Sequence, residues 1–148
     1  MNSGQVFWLH ASALITALSG AVFAVMKYFM TGSDEFAVVN HPWQPWMLAV
    51  HVVVAPLFLF MLGWTFSNHM IPQTRHGSHR ARFTGQSSMW LIVPMAFSGY
   101  LMQIATNDAI RQAMAIAHWS TSALFAVIYL AHLVRYWLEP QEGPAGAE

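Results

Sequence analysis

Four long apolar stretches separated by short polar ones dominate the chain, running approximately over residues 6–30, 46–66, 89–105 and 113–138. A helix that crosses a bilayer needs roughly 20 mainly apolar residues. The pattern therefore predicts an all-α fold, an integral membrane four-helix bundle occupying residues 1–138. The third stretch is the shortest. Pro56 and Pro94 fall inside stretches, which membrane helices tolerate where neighbours satisfy the freed carbonyls. The stretch from Val6 to Met26 is uncharged throughout, with no basic segment before it, so a retained helix is expected rather than a signal peptide. No internal repeat and no low-complexity tract is expected. Glu139 to Glu148 is polar and contains Gly and Pro, and reads as a flexible C-terminal tail.

Composition sharpens the membrane reading. Only 8% of the 148 residues are charged against 56% hydrophobic, where a soluble domain carries about 25% charged residues. Net charge is zero, so no basic footprint points to nucleic acid. Cysteine is absent, which removes disulfides, iron–sulfur clusters, thiolate zinc sites and covalent haem attachment. Histidine is then the strongest soft ligand, with ten methionines behind it. Arg75, Arg80, Arg82 and Arg135 gather on one side of the predicted spans. Lys27 and Arg111 lie on the other, accompanied by Asp34, Glu35 and Asp108. Positive-inside placement puts both termini in the cytoplasm, and Trp43, Trp46, Trp64, Trp90 and Trp137 near span ends fit aromatic belts. The expected location is a bacterial inner (cytoplasmic) membrane.

Histidines carry the candidate chemistry. His118 and His132 share the fourth span, 14 residues apart, which returns them to nearly the same helix face about 21 Å apart along the axis. His51 lies near the outer start of span two, at the depth of His118. His10 lies near the cytoplasmic start of span one, at the depth of His132. Topology thus pairs His51 with His118 and His10 with His132. Ionisable residues inside a membrane are functional suspects, and haem iron takes axial imidazoles from facing helices. Two haem b groups, an outer and an inner one, are the expected cofactors. For any single histidine, a hydrogen bond to a carbonyl on a neighbouring helix is the alternative, and two matched pairs at two depths favour ligation. His69, just past the end of span two, is the rival to His10 as inner ligand.

Other residues remain open between two roles. Ala13, Ala17, Gly20 and Ala24 continue the His10 face, where small residues admit either a porphyrin or a neighbouring helix. Ser122, Phe125 and Tyr129 lie between the two histidines of span four, with Phe125 a candidate filler between haems or a core aromatic. His76 and His79 sit in the Arg-rich loop and read as solvated. His41 contacts a partner or shapes a turn. Arg75, Arg80, Arg82, Lys27 and Arg111 pair with haem propionates or anchor the interface.

Several of these residues resemble a known family. Trp8-Leu9-His10 followed by Leu18-Ser19-Gly20, then Gly85-Gln86 with Trp90 and Ser98-Gly99, then two histidines 14 apart, are similar to the membrane cytochrome b subunits of bacterial formate dehydrogenase and nickel-iron hydrogenase. Ser87 stands where that family commonly has lysine, and Ala11 where an aromatic often follows the histidine. The resemblance covers all four spans and implies ligands from spans one, two and four: His10, His51, His118 and His132, with Gly20 against the cofactor. It implies electron transfer between a periplasmic-side redox partner, or a larger oxidoreductase complex, and quinone. With no flavin motif, nucleotide loop or catalytic dyad, a subunit is expected rather than a complete dehydrogenase. The alternatives are a stand-alone small cytochrome b that oxidises superoxide or another small donor and feeds quinone, and a haem-free membrane scaffold or metal carrier.

Overall fold

The computed structural model describes residues 2–32, 34, 36–72 and 79–138. Every regular element is helical, and the chain divides into two compact units, Met1–Pro72 and Gln73–Glu148. Arg75, His76, Glu35 and the tail from Glu139 lie outside the described residues, as do the side chains of His79, Arg80, Arg82 and Trp137.

The first unit pairs α1 (Ser3–Tyr28) with α2 (Gln44–Thr65), which runs on into a π-helical stretch at Phe66–Met70. A capping box starts α1: Asn2 Oδ1 accepts from the Gln5 N–H at 2.8 Å while the Asn2 N–H donates to Gln5 Oε1 at 3.3 Å, satisfying donors that have no partner inside the helix. Proline in the first turn of α2 is harmless, since that N–H would have no helical partner. Asn40 ties the connection back, donating from Nδ2 to the Lys27 carbonyl at 2.9 Å. Lys27 lies over the rings of Phe23 and Tyr28 at 5.7 and 5.5 Å. Leu9, Ala13, Ala24, Met26, Phe58, Met61 and Leu62 are the buried apolar side chains of this unit.

The second unit pairs α3 (His79–Ile104) with α4 (Asp108–Leu138). Three residues join them, a length that forces antiparallel neighbours. Asn107 caps α4 by accepting the Ile110 N–H on Oδ1 at 3.1 Å, and Arg111 pairs with Asp108 one turn later. Phe125 is the buried large apolar side chain here, with Ser88 and Ser98 buried beside the helix backbone.

Three helices, Ser3–Tyr28, Gln44–Thr65 and Asp108–Arg135, are long and apolar enough to cross a membrane, which fits a multi-pass membrane protein. Their apolar side chains point outward in a way water would not tolerate: Val53 is 73% exposed and Val127 65%. The expected third span differs. α3 starts well before it, at His79, and its first turns are polar through Ser88. Its apolar part, Met89–Ile104, makes about 24 Å of helix against a hydrocarbon core of about 30 Å. Trp46, Trp64 and Trp90 are exposed, as interfacial tryptophans are.

Candidate functional site

The histidine of α2 is fixed by its contact with α1. His51 Nδ1 lies 2.8 Å from the Thr16 carbonyl oxygen. A carbonyl only accepts, so Nδ1 carries a proton, and the tautomer this selects has its lone pair on Nε2. Gly20, one turn along α1 from Thr16, makes the approach possible. A Cβ there would stand 2.8 Å from both Cε1 and Nδ1 of the His51 ring. Gly20 therefore opens α1 to an imidazole. Of the small-residue face, Ala13 and Ala24 are buried and Ala17 is exposed, so part of it serves close helix approach.

The second unit repeats this arrangement. His118 Nδ1 lies 2.8 Å from the Met95 carbonyl oxygen, and a Cβ on Gly99 would stand 3.0 Å from the ring's Cε1. The serine before each glycine is buried and bonds in the same way. Ser19 Oγ donates to the Ile15 and Thr16 carbonyls at 2.7 and 3.2 Å. Ser98 Oγ donates to those of Pro94 and Met95 at 2.6 and 3.0 Å. Each imidazole thus lands on a carbonyl that a serine hydroxyl already marks.

An internal repeat is therefore present where none was expected. Ala17-Leu18-Ser19-Gly20 on α1 corresponds to Ala96-Phe97-Ser98-Gly99 on α3. On α2, Met47, His51, Phe58 and Thr65 have the same spacing as Met114, His118, Phe125 and His132 on α4. Phe58 and Phe125 are both buried, at 4% and 8% exposure. Phe125 stacks on Tyr129 at 5.5 Å and 15°, which is core packing. More chain separates Gly20 from His51 in the first unit than Gly99 from His118 in the second. That difference in loop length conceals the repeat when the chain is read at a fixed period.

The repeat breaks at its inner end. Where α4 has His132, α2 has Thr65, 1% exposed and bonded to the Met61 and Leu62 carbonyls at 3.0 Å each. His132 Nδ1 lies 3.0 Å from Thr84 Oγ1, a hydroxyl rather than a carbonyl. Thr84 stands as far before Gly99 as Gln5 stands before Gly20. A Cβ on Gly85 would meet the His132 ring at an ordinary 3.9 Å.

The two rivals for the inner role occupy different settings. His10 is half-buried on α1 between Leu9 and the buried Ser12 and Ala13. His69 is half-buried in the π-helical stretch beyond α2, and burial pushes its pKa below the usual imidazole value. π-Helical turns concentrate at functional sites. His41 Nδ1 accepts the Trp43 N–H at 3.2 Å, so it shapes the turn into α2.

Imidazole anchored through Nδ1–H to a carbonyl is how metal-ligating histidines are usually oriented. The donor set would suit haem b in kind: imidazoles, two of them anchored through Nδ1 to a carbonyl, and no competing thiolate. The same bond satisfies a histidine that only packs, and it recurs at one register in the two units. Among the described residues no cluster of three or more His, Asp or Glu side chains forms a metal cage. No family profile, curated protein or solved structure matches the chain.

Proposed function

We propose that the chain is a membrane-embedded di-haem cytochrome b that passes electrons across a bacterial inner membrane, between a periplasmic-side redox partner or larger oxidoreductase complex and quinone. The observation that carries this is the twice-built histidine anchor. His51 and His118, at the same register of two equivalent helix pairs, are both held with Nδ1–H on a carbonyl and the lone pair on Nε2. Equivalent residues of a repeat are natural partners for one iron, which supports His51 and His118 as the outer pair. His132, on the same face of α4 about 21 Å further in, supplies one inner ligand. Because α2 offers Thr65 at that register, the second inner ligand lies off the repeat. His10 fills this role, with His69 as its rival.

In this proposal all four helices span the bilayer, α3 completing its crossing with polar turns at the cytoplasmic side, and both termini are cytoplasmic. Haem b, when bound, supplies one-electron chemistry at its iron. The chain's own residues hold that chemistry in place. The carbonyls of Thr16 and Met95 fix ring orientation and raise the basicity of His51 and His118. Gly20 and Gly99 let those rings enter, and the buried Phe58 and Phe125 pack each helix pair two turns further along. Quinone reduction also needs protons, and in this proposal His69, half-buried beyond the α2 span, is one candidate to relay them, with His76 and His79 the others.

A reduced-minus-oxidised spectrum of the purified chain with haem quantification tests the proposal. The expected result is b-type bands and two haems per chain, falling to one in His51→Ala or His118→Ala. A protein purified from haem-replete cells without such bands would overturn it. Quinone turnover by the isolated chain, with no redox partner, would instead make it a self-sufficient oxidase of a small donor.

A further inference from the structure

The anchor of His132 differs in kind from the other two, and the difference has a chemical consequence. A carbonyl can only accept, so the tautomers of His51 and His118 are dictated by backbone. Thr84 Oγ1, 3.0 Å from His132 Nδ1, can donate or accept. What the hydroxyl proton does decides between them. A threonine inside a helix commonly donates its O–H to the carbonyl four residues back. Ser12, Ser19, Thr65, Ser88, Ser98, Ser120 and Thr121 all do so here, at 2.6–3.0 Å. Thr84 lies in the same helical setting, and a hydroxyl that donates back into α3 in this way has only lone pairs to offer His132.

We infer that Thr84 is a positioning residue for His132, accepting its Nδ1–H and so setting the tautomer that leaves the lone pair on Nε2. In water the Nε2–H tautomer of a histidine side chain is the more populated one, and that form presents a proton where a ligand atom is needed. Thr84 reverses the preference with a side chain, where the other two sites use backbone. His132 is consequently the one of the three anchored histidines whose tautomer a single substitution can alter. A hydroxyl is a weaker acceptor than a helix carbonyl already polarised by its neighbours. His132 is therefore the less electron-rich imidazole, and an iron it holds is the easier to reduce. This last step rests on the haem proposal; the tautomer assignment does not.

The experiment uses the full chain in two forms. In haem-free protein labelled with ¹⁵N-histidine, two-bond ¹⁵N–¹H correlation spectra in micelles at mildly alkaline pH report the protonated nitrogen of each neutral ring, and a His132→Gln spectrum assigns the resonance. Wild type and Thr84→Ser are expected to show His132 protonated at Nδ1. Thr84→Val, of the same shape without the hydroxyl, is expected to move the proton to Nε2 or to give exchange between the two. His51 and His118 should be unchanged in all three proteins, which shows that the fold is intact. His132 protonated at Nδ1 in Thr84→Val, with an unshifted resonance, overturns the inference, as does loss of that tautomer in Thr84→Ser. In haem-loaded protein, Thr84→Val is expected to raise one of two midpoint potentials and shift one low-spin ferric EPR signal, with Thr84→Ser near wild type. If no preparation binds haem, the haem proposal fails while the NMR spectra still decide the role of Thr84.

Discussion

Adding one methyl group at Gly20 tests whether the glycine exists to admit an imidazole. A Cβ at Gly20 would stand 2.8 Å from His51 Cε1 and Nδ1. Relaxed contact needs about 3.5 Å, so ring or helix must move by roughly 0.7 Å. The ring cannot move freely, because its Nδ1 is bonded to Thr16 on the same helix at 2.8 Å. The same displacement stretches that bond to about 3.5 Å, past useful geometry. Losing it costs about 0.5–1.5 kcal/mol, and overpacking adds about 1–3 kcal/mol. Alanine's better helix propensity returns about 1 kcal/mol. Gly20→Ala should therefore destabilise by about 2 kcal/mol, taking the middle of these ranges. At Gly99 the contacts are 3.0 and 3.1 Å, so Gly99→Ala should cost less, about 1 kcal/mol by the same terms. Gly63, in α2, would meet nothing within 4 Å, and Gly63→Ala should stabilise by about 0.5–1 kcal/mol from propensity alone. Unfolding of the three variants in mixed micelles gives the ranking, and the His51 ¹⁵N resonance reports the anchor. A Gly20→Ala protein as stable as wild type, with that resonance unmoved, would refute the argument.

Three more outcomes follow from the same geometry. His132→Ala should remove the inner haem and leave the outer one, and whichever of His10→Ala and His69→Ala matches it spectroscopically identifies the second inner ligand; loss of both haems from His132→Ala alone would contradict separate sites. Phe58→Ala and Phe125→Ala, each truncating a buried ring, should destabilise by about 3–5 kcal/mol, whereas exposed Phe60→Ala should stay within about 0.5 kcal/mol; equal effects in an unfolding titration would show that Phe58 and Phe125 are not core. Burial lowers the pKa of His69 in the folded chain below its unfolded value near 6.5, so above that value it contributes no pH dependence, and as pH falls below it the unfolded chain takes up the proton first and stability drops. His69→Gln should flatten that acid limb, measured as unfolding free energy between about pH 7 and 5; an identical limb in the variant would assign the acid sensitivity elsewhere.

The helices are legible in the sequence because apolar runs of about 20 residues leave few alternatives. Their ends are not, since they depend on capping rather than on hydrophobicity. Asn107 caps α4 well before the apolar run that begins at Ala113, and α3 begins at His79 within a polar segment that periodicity alone leaves as loop. His118 and His132 stand out because one uninterrupted helix fixes their separation. The repeat is hidden because its matching positions are sparse and its two loops differ in length. Ser-Gly followed on the next helix by Met-x₃-His-x₆-Phe is the available signal, visible only when each helix is aligned by itself. Gly20 reads from the sequence as a place of close approach, and what approaches it in the structure is the ring of His51. Thr84 carries no signal at all: a lone hydroxyl in a polar stretch becomes informative only once His132 is found 3.0 Å away.

The way the repeat fails is itself informative. The two helix pairs share an anchor: both have the glycine, the serine pair of bonds and the carbonyl-bound histidine. At the inner register the copies differ: Gln5 and Thr65 in the first unit, Thr84 and His132 in the second. Thr65 is fully buried and bonded to its own helix, so nothing there stands in for the missing imidazole. In the proposed arrangement, an outer site made from equivalent residues would receive the same backbone anchor on both ligands, and its electronic properties would resist side-chain change. The proposed inner site, drawing on one repeat position and one residue outside the repeat, would have unlike ligands, one of them oriented by a hydroxyl. Tuning is easiest where the group that orients a ligand is a side chain, because one substitution alters it without disturbing the helix. The proposed division of labour, an outer relay and an inner site adjusted to quinone, draws on this one difference: a carbonyl orients His51 and His118, and a hydroxyl lies at His132.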